Sequence, residues 1–317
     1  MEKIIIDTDP GVDDAFAIIL ALHAPSIDVK AITTVAGNVD IDNVTRNACT
    51  LLEVCNKESI PVYRGSEESL SPIEDTAGDL HGEDGMGNKG FVPVRKGIEK
   101  EHAVDFLLDY TKKEEDLTIL AIGPLTNIAK AVTQDSTFAS RVKKLVIMGG
   151  AELGGNITPA AEFNFHQDPE AAKIVFGAGF KEIVMVGLDA TKHVMLTPTL
   201  RELIHQIDSP IAQFIYDITE VFVKCQWEWS RILDCELCDI ITVGYLLEND
   251  ILTTKDARVE IETQGLCRGA SVVYRTENYP DKEMNAKVAI HADGKRFFEL
   301  FFHYLFPEYE NEAKRFI

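Results

Sequence analysis

The chain has 317 residues, of which 45% are hydrophobic and 26% charged, a composition typical of a folded globular protein. It carries 52 acidic and 31 basic residues, which gives a formal net charge of −21. A protein this acidic repels phosphate backbones and anionic lipids, so we expect neither a nucleic-acid partner nor a membrane partner. The charge suits a protein that binds a cation or a neutral substrate.

The cysteines and the hydrophobic runs predict the subcellular location of the protein. The six cysteines are irregularly spaced, which indicates reduced thiols rather than a disulfide framework. The longest apolar run, residues 16–22, is far too short to cross a bilayer. The first residues, MEKIIID, lack the pattern of a secretory signal. We therefore expect a cytoplasmic protein.

The first half of the chain alternates strand-like with helix-like patterns. In the first helix, Ala15, Ile18, Ile19 and Leu22 recur at helical spacing and predict one buried stripe. Such alternation predicts an α/β fold with an open, doubly wound, mostly parallel sheet. Strands are predicted at residues 3–7, 29–35, 62–64, 117–122, 144–148 and 183–186, and helices at 13–23, 43–55, 102–113, 126–132 and 169–176.

The pattern changes after residue 197 and predicts a helical C-terminal part. No repeat or linker interrupts the sequence, so we expect residues 1–317 to form a single domain. Residues 66–99 and 224–238 fit neither a helix nor a strand, and long irregular loops inside a compact domain are commonly functional. Helices are predicted at residues 199–207, 210–225, 239–248 and 295–305, and short strands at 258–262, 271–274 and 287–290.

Four carboxylates lie within residues 7–14, DTDPGVDD, where the first strand meets the first helix. In an open α/β sheet this junction lies at the edge where ligands bind. The helix dipole stabilises an acid in the first turn by only about 0.3–1 kcal/mol. Two carboxylates about 5 Å apart repel by roughly 3 kcal/mol at an effective dielectric of about 20. The cluster therefore predicts a divalent cation, and its hard oxygen ligands favour Ca²⁺ or Mg²⁺.

Two reaction classes fit an aspartate cluster at this position. One is a Mg²⁺-dependent phosphohydrolase that uses an Asp-x-Asp pair. The other is a hydrolase in which a metal holds a water and one aspartate removes its proton. The phosphohydrolase motif usually continues with Gly-Thr, whereas Pro10 and Gly11 follow here.

The segment DTDPGVDD resembles the N-terminal signature of the nucleoside hydrolases, the inosine–uridine-preferring nucleoside N-ribohydrolase family. Further matching segments follow in the family's order and cover the chain to about residue 250. They are TVAGN at 34–38, HGEDG at 81–85, GPLTN at 123–127, MGG at 148–150, Asn156, EFN at 162–164 and DPEA at 168–171.

The resemblance implies one Ca²⁺ at the bottom of a ribose pocket. Its protein ligands would be Asp9, Asp14, the backbone carbonyl of Ile122 and Asp239. Asp9 would also act as the general base on the attacking water. The implied activity is hydrolysis of the N-glycosidic bond of ribonucleosides to ribose and free base, for nucleobase salvage, by a homodimer or homotetramer.

The resemblance also implies a set of substrate contacts. Asp13 would hold a ribose hydroxyl, and Met148 would lie beneath the sugar. We add His81 as a candidate on the substrate side. The remaining ribose contacts would be Asn38, Asn156, Glu162 and Asn164.

The chain departs from the family at Cys238, where many members carry the histidine that protonates the leaving base. Three possibilities stay open: Cys238 is the acid, another residue of 224–238 is the acid, or there is none. The same departure admits a protein that binds a ribosyl ligand without turning it over. Trp227 and Trp229 can stack on a base, but on a helix they diverge by about 200°, so at most one should reach it. Trp227 is our candidate.

Overall fold

The computed structural model describes residues 1–71, 77–94 and 97–317. Twelve strands are present in these ranges: β1 Glu2–Thr8, β2 Ile27–Thr34, β3 Val62–Arg64, β4 Ile98–Glu99, β5 Leu117–Ala121, β6 Lys144–Met148, β7 Ile183–Val186, β8 Met195–Leu196, β9 Cys235–Glu236, β10 Leu252–Ile261, β11 Ser271–Arg275 and β12 Ala286–Ala292.

Fourteen α-helices connect or follow these strands in the described ranges. They are α1 Val12–His23, α2 Ile41–Val54, α3 Gly78–His81, α4 Ala103–Lys113, α5 Thr126–Gln134, α6 Phe138–Arg141, α7 Phe163–Gln167, α8 Pro169–Gly177, α9 Leu188–Thr191, α10 Pro198–His205, α11 Pro210–Ser230, α12 Ile240–Leu247, α13 Gly294–Leu305 and α14 Glu310–Ala313.

Ten strands form one open sheet in the order β11-β10-β12-β7-β6-β5-β1-β2-β3-β4. The pairs from β12 to β4 are all parallel, whereas β10 is antiparallel to both β11 and β12. Strands β8 and β9 form a separate antiparallel pair. The predicted fold class, a doubly wound and mostly parallel sheet with a helical C-terminal part, is confirmed.

The apolar run of β1 is explained by helices on both faces of the sheet. Ile4 and Ile6 belong to one buried cluster, which includes residues of α1, α12 and α13. Ile5 belongs to a second cluster, which includes residues of α5 and α8. A strand that is buried on both faces has no polar side to alternate with, so it reads as a continuous hydrophobic run.

Helix α1 is more deeply buried than its sequence predicts. The apolar spacing indicates a single buried stripe, but every residue from Val12 to Leu22 is buried. The reason is that α11, α12 and α13 pack around the helix from several sides. One such contact stacks Phe16 on Phe301 of α13, with ring centroids 6.0 Å apart.

Two segments that the sequence leaves unassigned contain helices. Helix α11 continues to Ser230, beyond the predicted end at residue 225, and therefore carries both tryptophans. Within residues 66–99, the four-residue helix α3 leads to His81. Residues 72–76 and 95–96 of that stretch lie outside the described residues. No helix in the described part of the chain is long and apolar enough to cross a membrane.

The order of the strands places a crevice beside β1. From β1 the chain winds outward through β2, β3 and β4, and it then returns to β5 on the other side of β1 and winds outward again through β6 and β7. The connections that leave β1 and β5 therefore diverge, and such a switch point opens a binding crevice at the carboxyl ends of the strands.

Candidate active site

A cavity of about 470 Å³ lies at this switch point. One part of its lining comes from segments that follow the sheet strands, including Asn38 after β2, Ile122 after β5 and Met148 at the end of β6. The other part comes from α3, the last turns of α11, and the segment around β9. Asp13, in the first turn of α1, and Asp239, directly before α12, also line the cavity.

Asp9 is fully buried between two glycine-containing loops. Its Oδ2 accepts a hydrogen bond from the Asn38 backbone N–H at 2.7 Å, while its Oδ1 has no hydrogen-bond partner among the described residues. A Cβ atom at Gly37 would lie 2.1 Å from Oδ2, and one at Gly123 would lie 2.4 Å from Oδ1. Only glycine allows both loops to approach this carboxylate so closely, and they leave one oxygen free for a ligand.

The Asp14 carboxylate accepts hydrogen bonds from three groups. Thr8 Oγ1 donates to Oδ1 at 2.5 Å, and Gly11 N–H donates to Oδ2 at 3.0 Å. Asn38 Nδ2 also donates to Oδ2, at 3.1 Å, and to the Asp9 carbonyl at 3.0 Å. Asn38 therefore fixes the position of Asp9 relative to Asp14.

Carboxylate oxygens of Asp13, Asp14 and Asp239 lie within 4.8 Å of one another. Burial, reinforced by the neighbouring negative charges, raises the pKa of Asp14 to about 6 and that of Asp9 and Asp239 well above the usual range. Burial also raises the pKa of Asp13 to about 6. These groups are unfavourable as bare anions, and a divalent cation with a preference for oxygen ligands would relieve their repulsion.

The observed triad and the predicted metal set overlap without being identical. Asp14 and Asp239 belong to both, whereas the triad includes Asp13 and the prediction includes Asp9. The carbonyl oxygen of Ile122 accepts a hydrogen bond from Asn164 Nδ2 at 3.3 Å, at the end of β5. Asn164 Nδ2 also lies 3.3 Å from the Met148 carbonyl oxygen, so this amide connects the ends of β5 and β6.

Glu162 caps the N-terminus of α7. Its carboxylate accepts hydrogen bonds from the backbone N–H groups of Asn164, Phe165 and Gly150 at 2.8, 3.1 and 2.8 Å. Burial raises its pKa to about 7 despite these bonds. Asn156 Oδ1 accepts from the Phe163 N–H at 2.9 Å. The predicted ribose contacts Asn38, Met148, Asn156, Glu162 and Asn164 all line the cavity.

His81 reaches the cavity from α3. Its Nδ1 accepts a hydrogen bond from the Val12 N–H at 3.1 Å and lies 3.8 Å from Asp13 Oδ1. Burial lowers the pKa of His81 to about 4. The ring is therefore neutral at physiological pH, and its proton is on Nε2 because Nδ1 is the acceptor.

Cys238 also lines the cavity, beside Asp239. Burial, together with the charges of Glu236, Asp13 and Asp239, raises its pKa well above the usual range of a thiol. The group is therefore an uncharged thiol at neutral pH, and it releases a proton less readily than an exposed cysteine does.

The tryptophan that lines the cavity is Trp229 and not Trp227, the candidate from the sequence. Trp229 lines the cavity, whereas Trp227 is not among the described lining residues and has the Arg231 guanidinium 5.5 Å from its ring centroid. Both tryptophans are on α11, where two positions correspond to about 200° of rotation. The sequence gives the separation but not which side of the helix faces inward. Phe222, Gln226 and Glu236 are further lining residues that sequence reasoning missed.

The buried acids predict how the metal-free protein responds to pH. Burial raises the pKa of Asp7, Asp13 and Asp14 to about 6 and that of Glu162 to about 7. Between pH about 4 and about 7, the folded state therefore holds protons that the unfolded chain has already released. We expect the metal-free protein to lose stability as pH rises through this window.

One group acts in the opposite direction. The lowered pKa of His81 means that the unfolded chain binds a proton below pH about 6.5 that the folded protein does not hold until pH about 4. A single histidine does not outweigh several carboxyl groups. Urea unfolding of the chelated protein at pH about 5.5 and about 7.5 measures the balance, at up to about 1.4 kcal/mol per group and pH unit. Lower stability at the more acidic pH would contradict the raised pKa values given to the buried carboxyl groups.

Similarity to known proteins extends over nearly the whole chain. Residues 4–299 match the family model of the inosine-uridine preferring nucleoside hydrolases. The chain is 39% identical over 272 residues to probable uridine nucleosidase 2 of Oryza sativa subsp. japonica, covering 84% of this chain and 80% of that protein. It is 35% identical over 302 residues to the inosine-uridine preferring nucleoside hydrolase of Crithidia fasciculata, covering 94% and 96%.

A solved structure gives the same result. The plant nucleoside hydrolase PpNRh1 matches with a TM-score of 0.90 and 36% identity, covering 95% of this chain and 97% of that chain. The region of the family match contains every described residue that lines the cavity. Fold, cavity and sequence similarity thus concern the same part of the molecule, and the chain belongs to the inosine-uridine preferring nucleoside hydrolases, which hydrolyse the N-glycosyl bond of ribonucleosides.

Proposed function

We propose that this protein is a Ca²⁺-dependent ribonucleoside hydrolase that releases ribose and a free nucleobase for salvage. The observation that carries the proposal is the buried aspartate cluster at the cavity, with Asp9 Oδ1 lacking a partner among the described residues. A neutral ribonucleoside also suits the overall acidity of the chain.

The residues at the cluster fit a divalent cation. Asp9, Asp14 and Asp239 would hold it together with the carbonyl oxygen of Ile122, and all four groups are buried oxygen donors of the kind that Ca²⁺ prefers. A cation bound there supplies positive charge that acidifies a nearby water and anchors vicinal hydroxyl groups. Asp13 belongs to the observed triad and is close enough to orient a ribose hydroxyl beside it.

Asp9 is suited to remove the proton from the attacking water. Its Oδ2 is engaged by the Asn38 N–H, while Oδ1 is free to accept a proton. An ionised carboxylate with one oxygen open in this way can act as the general base on a water beside it. The water then attacks C1′ as the bond to the base breaks.

The other acids stabilise the positive charge that develops on the reacting sugar. The reacting ribose develops positive charge at C1′ and its ring oxygen, and fixed negative groups lower the energy of that state. Asp13 and Glu162 line the cavity and supply such groups. Asn38, Asn156 and Asn164 supply amides for the hydroxyls, and Met148 offers an apolar surface for the sugar.

The lining favours this reaction over phosphate-ester hydrolysis. Among the described residues that line the cavity there is no lysine or arginine to bind a phosphate group, whereas five lining residues are aspartates or glutamates. Release of phosphate from a panel of phosphoesters, without release of ribose from nucleosides, would favour the Mg²⁺-dependent alternative. Tight nucleoside binding without turnover would favour a binding protein.

The nucleobase preference can be measured directly. The names of the relatives refer to uridine and to inosine together with uridine, and we propose that this protein likewise accepts both a pyrimidine and a purine nucleoside. Reducing-sugar release from inosine, adenosine, guanosine, uridine and cytidine, with and without Ca²⁺, would rank the bases. Release from none of the five in the presence of Ca²⁺ would contradict the proposed function.

We further propose that residues 1–317 act as one catalytic domain in a cytoplasmic homodimer or homotetramer. All six cysteines are free, as expected in a reducing compartment. The resemblance to the family supports the oligomeric state, which sedimentation analysis of the purified protein would measure.

A further inference from the structure

Glu236 is a half-buried carboxyl group in the cavity wall that the sugar and metal contacts do not use. It lies in β9, where its backbone pairs with that of Met195 in β8. Its side chain lines the same cavity as Cys238 and Trp229, and it is not one of the three acids that lie within 4.8 Å of one another. It therefore lies among residues that the proposed sugar site leaves free for the base.

We propose that Glu236 is the acid that protonates the departing nucleobase. This inference rests on the proposed ribonucleoside hydrolysis and adds a proton donor to it. The segment around β9 brings this carboxyl group to the cavity together with Cys238. Cys238 stands where many family members carry the histidine that protonates the leaving base.

Two other candidate proton donors in the cavity, His81 and Cys238, are weaker acids than a carboxyl group. His81 accepts from the Val12 N–H through Nδ1, so it could donate only the Nε2 proton of a neutral ring. Cys238 is half-buried and offers a thiol, whose ordinary pKa of about 8.5 makes it a weak acid at neutral pH. A neutral carboxylic acid is a much stronger acid than either group.

The surroundings of Glu236 favour its protonated form. Burial raises its pKa, and the negative charge of Asp13 on α1 raises it further. Lys192, directly after α9, acts in the opposite direction. The Cys238 thiol, two residues along the chain, is uncharged. A carboxyl group whose pKa is shifted toward neutrality can hold a proton and still release it to the substrate.

The proton transfer balances with the rest of the reaction. As the bond between C1′ and the base nitrogen breaks, its electron pair goes to the base, and the Glu236 proton goes to a basic nitrogen or oxygen of that base. Water adds to C1′ and gives one proton to Asp9. Asp9 then releases this proton and Glu236 takes one up from solvent, so the net reaction consumes one water per nucleoside.

A comparison of two substrates tests the proposal. Inosine and uridine leave as bases that need a proton, whereas 4-nitrophenyl β-D-riboside releases a stable anion that does not. We expect Glu236→Gln to lower kcat for the nucleosides by about 10²-fold or more and kcat for the nitrophenyl riboside by less than about threefold. The fall in kcat with rising pH that accompanies loss of the Glu236 proton should disappear in this variant. Turnover of the nitrophenyl riboside also shows that the variant is folded.

Two further variants complete the test. Glu236→Asp keeps a carboxyl group at shorter reach and should show a smaller loss that is again selective for nucleosides. Cys238→Ala separates the two candidate donors: a loss selective for nucleosides in this variant, with none in Glu236→Gln, would overturn the proposal. Equal losses of both substrates in Glu236→Gln would also overturn it. If the wild-type protein hydrolyses no nucleoside, the proposed function itself fails, and that result does not depend on any Glu236 variant.

Discussion

Replacing Asp9 by asparagine is expected to lower kcat for ribonucleoside hydrolysis by at least about 10²-fold, the lower end for loss of a general base. Asparagine has the same shape and can still accept the hydrogen bond from the Asn38 N–H. It carries no charge, however, and its carbonyl oxygen is far too weak a base to take a proton from water. Steady-state kinetics at saturating Ca²⁺ would measure the loss separately from any weakening of metal binding.

Asp7→Asn, two residues earlier and within β1, is a matched control. Asp7 Oδ1 accepts hydrogen bonds from Thr33 Oγ1 at 2.5 Å and Asn127 Nδ2 at 2.8 Å, and Asp7 is not among the described residues that line the cavity. An asparagine can keep both bonds, so we expect a change in stability rather than in kcat. Near-wild-type turnover of Asp9→Asn would refute the role proposed for Asp9, as would equal losses in the two variants.

Removal of bound metal should abolish activity, and addition of Ca²⁺ should restore it. The cluster has several buried carboxylates whose pKa values are raised by burial and mutual repulsion, so the folded state favours either protons or a cation at this place. Activity and melting temperature should therefore fall together on exhaustive chelation. At a free Ca²⁺ concentration about 100 times the Kd, the metal would add about 2.7 kcal/mol to the free energy of unfolding.

Mg²⁺ provides a comparison for this experiment. It requires a smaller and more regular set of ligands than Ca²⁺ does, and we expect it to restore less activity at equal concentration. Because protons compete with the metal, the stabilisation by Ca²⁺ should be larger at pH about 7.5 than at about 5.5. Full activity in protein shown to be free of metal would contradict the metal assignment.

The architecture could be predicted well because its signals are local. The apolar run of β1, the Pro-Gly turn and the acids of α1 follow one another in the chain, and a parallel sheet places such junctions at one edge. The depth to which α1 is buried could not be predicted in this way. It depends on α11, α12 and α13, which contact α1 although they begin nearly two hundred residues or more after it in the sequence.

The candidate site shows the same division. The roles proposed for Asp9 and Asp14 come from a short motif, whereas the contact of His81 with the Val12 N–H joins residues 69 positions apart. The choice between Trp227 and Trp229 depends on the rotation of α11, which no local pattern specifies. Glu236 could not be singled out because its segment matches neither a helical nor a strand period, and only the fold brings it to the cavity.

The buried aspartate cluster and the cavity wall formed by α3 and α11 differ in how far a substitution would disturb the fold. Asp9, Asp14 and Asp239 are buried at the junction of the sheet with its packed helices, so most substitutions near them would disturb the core as well as the chemistry. Trp229 is 62% exposed at the end of α11, and α3 is a helix of only four residues. Mutations there cost little stability. Proteins built on this plan can therefore diverge in the base that they accept while the demand for a ribosyl group is retained.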